Sequence, residues 1–219
     1  NQSYSRAAHL ARILWLSVPD EKLLGLSKTK TLSAQTIPAQ IDRMLKDEKS
    51  RRMMHSFCDQ WLNLRSFYKV TPSLKLYPKY DDLLNHYLPI ETEAYLEHLI
   101  RENLPVGYLI DSDFSILNQR LAQHYGIEGV IGQEMRKVSF KPSVPRGGLL
   151  TMGSVLKVTA DGFDTSPILR GAWISKNIAG NTLSPPPEDI EVIEPEHGKD
   201  AATLREQIEV HKNNQACFA

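Results

Sequence analysis

Arg51-Arg52-Met53-Met54-His55-Ser56-Phe57-Cys58-Asp59-Gln60-Trp61-Leu62-Asn63-Leu64-Arg65 places Met54, Phe57, Cys58, Trp61 and Leu64 at helical intervals beside Arg51, Arg52, Asp59 and Arg65. Apolar residues recurring every three or four positions line one face of an α-helix, and that face has to be covered by other elements. The segment predicts an amphipathic helix docked on a core, with Cys58 on its apolar side. The stripe reads as packing surface rather than as a cofactor box.

The neighbouring segments repeat the pattern. Upstream, Leu10, Ile13 and Leu14 share one helical face. Ser17-Val18-Pro19-Asp20 ends that helix and caps a short one carrying Leu23, Leu24 and Leu26. Pro38 opens a segment with Ile41, Met44 and Leu45 on one side. Downstream, Asp81-Asp82 favours the start of a longer helix running toward Asn103, with Leu83, Leu84, Tyr87, Tyr95, Leu99 and Ile100 as its apolar face. Pro89 lies inside this pattern, has no N–H to donate, and is expected to kink or divide the helix near Leu88. Asp111-Ser112-Asp113 is then expected to cap a helix carrying Phe114, Leu117, Leu121 and Tyr125, ended by Gly126.

Beyond Gly126 the pattern changes. Residues 135–140 alternate well enough for one short strand or an extended arm. Arg146-Gly147-Gly148 reads as a tight turn leading into a buried helix over 149–158. Ser166 can cap the next helix, with Pro167 in its first turn, where the missing donor costs nothing. That helix carries Ile168, Leu169, Ala172, Trp173 and Ile178. Pro185-Pro186-Pro187 must be extended, and Glu188, Asp189, Glu191, Glu194 and Glu196 keep the following stretch solvated. A final helix is expected from Asp200, with Leu204, Ile208 and His211 on one side. The fold class is therefore mainly α: two packed helical modules, residues 1–126 and 127–219, with one short strand or extended arm and a Pro-rich linker.

Composition narrows the function classes. The 219 residues carry 26 basic and 26 acidic side chains, so the balanced charge argues against a dedicated nucleic-acid binder. No apolar run reaches the length of roughly eighteen residues that a membrane-crossing helix needs. Two cysteines, Cys58 and Cys217, are too few for a disulfide framework. The chain starts at Asn1 without an initiating Met or a signal-peptide pattern, and it reads as a piece of something longer at both ends.

Candidate chemistry is sparse. Gln215-Ala216-Cys217-Phe218-Ala219 reads like a c-type haem attachment run, Cys-x-x-Cys-His, cut off halfway; Cys217 is the candidate cofactor-binding residue. Asp111, Asp113, Arg120 and His124 form a polar cluster around the predicted helix start. Two carboxylates and an imidazole can perform acid–base work, as a hydrolase would require, if they converge in a solvent-open cleft. The competing reading makes the aspartates caps and leaves Arg120 and His124 on the surface. Glu93, Glu97 and His98 lie close together on a helix, but Tyr95 occupies the position that a carboxylate-bridged metal site would need three residues before His98, so no metal site is assigned. Arg146-Gly147-Gly148 lacks the spacing and lysine of a phosphate loop. There is no Gly-x-Ser-x-Gly elbow, and the sequence does not choose a distal iron ligand among its seven histidines and its methionines, Met152 and His211 included.

Several strings, taken in order, carry a resemblance. They are 10–21 (LARILWLSVPDE), 57–64 (FCDQWLNL), Glu91-Thr92-Glu93, 117–126 (LNQRLAQHYG), 146–151 (RGGLLT) and 165–173 (TSPILRGAW), followed by the proline triplet. In this order and spacing the chain resembles the large multi-domain planctomycete cytochrome c domain proteins, over essentially its whole length. The resemblance implies haem c attached through Cys217, with the second cysteine and the histidine of the motif beyond Ala219. It also implies a periplasmic or extracellular location and electron transfer with a redox protein partner, leaving open whether the whole is an oxidoreductase component. The alternative is a non-catalytic helical scaffold, a subunit of a cell-surface or respiratory assembly.

Overall fold

The computed structural model describes residues 2–163 and 165–181. The expected final helix, the proline triplet and Cys217 lie outside the described residues. The stretch around Cys58 is helix α4 (Ser50–Trp61), preceded by α1 (Gln2–Trp15), α2 (Glu21–Lys28) and α3 (Ile37–Lys46). A 3-10 turn (Leu64–Lys69) leads to α5 (Asp82–Arg101), the longest described helix, and a second 3-10 turn (Val106–Leu109) leads to strand β1 (Phe114–Leu117). Helix α6 (Gln119–Tyr125), strand β2 (Arg136–Ser139), a 3-10 turn (Leu149–Thr151), α7 (Gly153–Val158) and α8 (Pro167–Asn177) complete the order. The protein is mainly helical, and β1 and β2 form a two-stranded antiparallel sheet with Phe114 opposite Ser139 and Leu117 opposite Arg136. Asn1–Gly180 forms one compact unit.

Local chemistry sets the helix starts. Asp20, Asp81 and Ser166 each accept a hydrogen bond from the backbone N–H three residues on, at 2.9, 2.7 and 3.2 Å, satisfying an amide that the helix itself cannot. The Asp20 carboxylate also takes the Arg43 guanidinium at 2.7 Å, which ties α2 to α3. In α1 the buried face is Ala7, Ala11 and Trp15, while Ile13 is 62% exposed and Leu10 and Leu14 only border the core. The expected face was displaced because small alanines let α2 approach closely and the Trp15 indole reaches the Met44 carbonyl at 2.9 Å. The buried stripe runs through Met54 and Cys58 of α4 and on to Leu62 and Leu64 just beyond it, while Phe57 is 41% exposed.

The helix expected from Phe114 and the division expected at Pro89 both give way to tertiary contact, which overrides local signals. Pro89 does not divide α5, which runs from Asp82 to Arg101 as a single element. Its missing N–H leaves the Asn85 carbonyl without a helical donor, but α4, α6, β1 and α7 all pack against α5 and hold it across the gap. The helix expected from Phe114 to Tyr125 is instead β1 followed by α6. All four residues of β1 are buried, and its backbone groups pair with β2 rather than with a helical turn. Asn118, not the Asp111-Ser112-Asp113 triplet, supplies the cap, accepting from the Leu121 N–H at 3.0 Å. Gly126, at φ +70°, closes α6 in the left-handed conformation that glycine adopts without strain.

The main core joins α4, α5, β1, α7 and α8 through Met54, Cys58, Tyr95, Phe114, Val155 and Trp173 among others. A second cluster sits under α1–α3, and a third gathers Phe67, Leu84, Leu88, Leu117 and Leu121.

Candidate functional site

The four residues of the sequence-derived polar cluster fall in two neighbourhoods. Arg120 and His124 share α6; Arg120 binds the Asp81 carboxylate at 3.0 Å and the Lys79 carbonyl at 2.7 Å. His124 keeps an exposed edge, yet the protein around its ring, and then the charges of Arg120 and Arg146, lower its pKa. Asp111 and Asp113 lie at the far end of β1, a strand whose four residues span about 13 Å. There they face Tyr95, whose pKa is raised first by burial and then, among smaller influences, by these two carboxylates.

Glu93 and Glu97 are paired with His55 and Arg101. The His55 ring bonds the Glu93 carboxylate at 2.8 Å, and Arg101 pairs with Glu97 at 2.8 Å. Among the described residues no group of three or more His, Cys, Asp or Glu side chains is arranged to hold a metal ion. Arg146-Gly147-Gly148 spends its donors internally. Arg146 stacks over the Tyr125 ring at 3.4 Å and bonds the Thr151 carbonyl at 2.6 Å, while the two glycine amides donate to Thr151 and Ser112 hydroxyls. A Cβ on Gly147 would sit 2.3 Å from the Ser112 carbonyl oxygen, so close backbone approach explains the glycine.

The most unusual group in the core is one that sequence reasoning passed over. Glu91, 1% exposed, accepts from Ser115 at 2.8 Å through one carboxylate oxygen and from Tyr125 at 2.5 Å through the other. The Tyr125 hydroxyl in turn accepts the Gly153 N–H at 3.0 Å, so one network ties α5, β1, α6 and α7. Burial pushes the Glu91 carboxyl up to about 7, against the opposing pull of the two hydroxyls and Arg146. Alongside, Thr92 and Ser154 share a 2.5 Å hydroxyl contact, and Thr92 also reaches the Met152 sulfur. Met152 is thereby engaged in the core. The available sequence signal was helical phase, since Glu91 falls three residues after Leu88 and four before Tyr95, on the apolar face.

A cavity of about 680 Å³ opens between the connection preceding α5, α6, α7 and α8, with Tyr80, His124, Lys157 and Arg170 among its lining residues. Its lip is a short hairpin closed by an Ala160–Thr165 bridge and stapled to the preceding connection by the Ser73 N–H bond to Gly162.

Cysteine chemistry separates sharply between the two thiols. Cys58 is fully buried in the main core, and burial drives its thiol far above the ordinary range, so it stays protonated and unreactive. A thiol so enclosed is not available to form a thioether with a bound group.

The described residues form a helical protein with a buried polar network and a sizeable apolar cavity. Comparison with family models assigns residues 2–127 to PSD4, a protein of unknown function (DUF1592), and residues 146–219 to PSCyt3, a protein of unknown function (DUF1588). The first match covers more than half of the chain, and the protein belongs to this family, both families being named for planctomycete cytochrome c domains. No curated protein and no solved structure shows significant similarity to the chain.

Proposed function

We propose that the chain is part of an exported c-type cytochrome-like protein in which haem attached at Cys217 exchanges electrons with a partner protein. The observation that carries this reading is the PSCyt3 match over 146–219, which includes Cys217, together with the exclusion of Cys58 by burial. Haem, when bound, would supply a one-electron iron couple, tuned by its axial ligand and by the polarity around it. The chain's own part is to anchor the group by a thioether. Within the unit over residues 1–180, the Trp61 and Trp173 indoles donate to the Asn177 and Leu62 carbonyls at 2.6 and 3.1 Å and lock α4 to α8. Covalent haem is attached outside the cytoplasm, which is why the reading includes export.

The test is spectroscopic. The natural protein, produced in a host with periplasmic haem-attachment machinery, should show a reducible Soret and α band that survives acid–acetone extraction and is lost in Cys217→Ala. A folded protein without those bands would instead support the helical scaffold, in which the tryptophans and the Glu91 network serve packing alone.

A further inference from the structure

Lys157 and Arg170 stand on the wall of the large cavity, and their hydrogen-bond partners among the described residues are neutral. The Lys157 ammonium bonds the Asn85 side-chain oxygen at 2.9 Å and lies 3.7 Å over the Phe67 ring. The Arg170 guanidinium is held by the Thr159 and Thr165 hydroxyls at 3.2 and 2.8 Å. Neither cation belongs to an ion pair among the described residues, and no carboxylate stands among the described residues lining the cavity. Lys157 is only 9% exposed. A buried cation is ordinarily compensated by an anion, because taking a charge out of water costs several kcal/mol.

The rest of the wall is apolar, with Leu76, Leu84, Leu88 and Leu156 beside the face of Tyr80, and the volume of about 680 Å³ lies within the range of small-molecule sites. We propose that this cavity binds a small molecule with an apolar body and a single carboxylate, the body lying against the leucines and the carboxylate paired with Lys157, with Arg170 adding positive charge on the same wall. The anion supplies a counter-charge that Lys157 lacks among the described residues. Selectivity follows from the same arrangement: a neutral isostere fills the cavity without an anion for the Lys157 ammonium, and a cation is repelled.

The titration behaviour agrees. Burial pushes the Lys157 ammonium down to about 8, so the anchoring charge fades as pH rises through that value. Tyr80, pushed up to about 12 by burial and its neighbours, stays neutral over this range, and His124, with its pKa lowered, is already neutral. Lys79 and Arg170 on the same wall carry no opposing charge.

The test is calorimetric titration of the folded protein with benzoate, 2-naphthoate and decanoate, each paired with its primary amide. At least one carboxylate should bind at one site per chain, about tenfold or more tighter than its amide, a difference expected of a charged hydrogen-bonded pair. Lys157→Met should remove most of that preference while keeping the amide's affinity, and affinity for the carboxylate should fall above pH 8. Ala160→Phe, which fills the cavity from its lip, should abolish binding of both, with circular dichroism confirming that each variant is folded. Absence of saturable binding across the panel, or a preference for carboxylate indifferent to Lys157→Met, would overturn the proposal. Neither result depends on haem at Cys217.

Discussion

The Trp173 indole N–H donates to the Leu62 carbonyl oxygen at 3.1 Å, joining α8 to the end of α4 across 111 positions of chain. Trp61 answers in the opposite direction, donating to the Asn177 carbonyl at 2.6 Å. Two indoles thus cross-stitch the same pair of helices, each offering an apolar ring to the interface and a polar tip to a carbonyl. Trp173→Phe removes the donor and leaves the buried Leu62 carbonyl short of a partner, and should destabilise the protein by about 1–3 kcal/mol. Urea unfolding of Trp61→Phe, Trp173→Phe and the double variant checks this. The double variant should lose less than the sum of the singles, because either loss already loosens the α4–α8 contact. Strict additivity would show that the two pins act independently.

Glu91 makes stability fall as pH rises. Its folded carboxyl titrates at about 7, against about 4.5 for an ordinary glutamate, so between those values the folded state holds a proton that the unfolded state has released. The contribution of Glu91 is therefore full below pH 4.5 and is lost as pH rises through 7, by roughly 3 kcal/mol in all. Glu91→Gln keeps the shape and one acceptor without the titration. Denaturant unfolding between pH 4.5 and 7.5 should show that slope in the parent and a much flatter profile in the variant, once other groups are matched by difference. An identical slope in both would mean that Glu91 titrates normally.

Glycine positions divide by what surrounds them. Gly147→Ala would push a methyl group to 2.3 Å from the Ser112 carbonyl oxygen, and the backbone on both sides would have to move. A loss of about 1–3 kcal/mol is expected. Gly171, inside α8 with nothing within 4 Å of an added Cβ, should respond oppositely, since alanine there gains about 0.5–1 kcal/mol from helix propensity. Thermal melts of the two variants should shift in opposite directions.

These cases also show where the sequence was legible. Asp20, Asp81 and Ser166 announce helix starts because a cap bonds an amide three residues away, and the whole signal lies within one turn. The mainly helical class followed from such signals and from the stripe through Met54 and Cys58. Strand β1 was not legible, because Phe114, Leu117, Leu121 and Tyr125 also fit helical spacing. What decides for a strand is β2, whose first residue lies well down the chain. Pro89 leaves α5 undivided for the same reason: the contacts that hold the helix together across it come from other elements of the fold. Glu91 could have been found from its phase with Leu88 and Tyr95. The cavity could not, since its wall is assembled from four separate stretches and Lys157 sits on a short helix with no strong periodicity.

Cys58 offers a reporter on the whole core. It lies at 0% exposure among Met54, Tyr95 and Leu96, and burial, with smaller help from Glu93 and Asp59, keeps its thiol protonated far above its ordinary range. Only the thiolate attacks disulfide or maleimide reagents, so reaction requires the core to open first. In a Cys217→Ser background, which leaves Cys58 as the single thiol, labelling by an aromatic disulfide should be negligible in the native protein. Its rate should rise with urea in parallel with the unfolded fraction measured by tryptophan fluorescence. Trp173→Phe should accelerate it, because α8 closes over the same cluster. Rapid labelling of the native protein, with fluorescence unchanged, would mean that α4 opens locally and that the stripe through Cys58 is not the centre of the core.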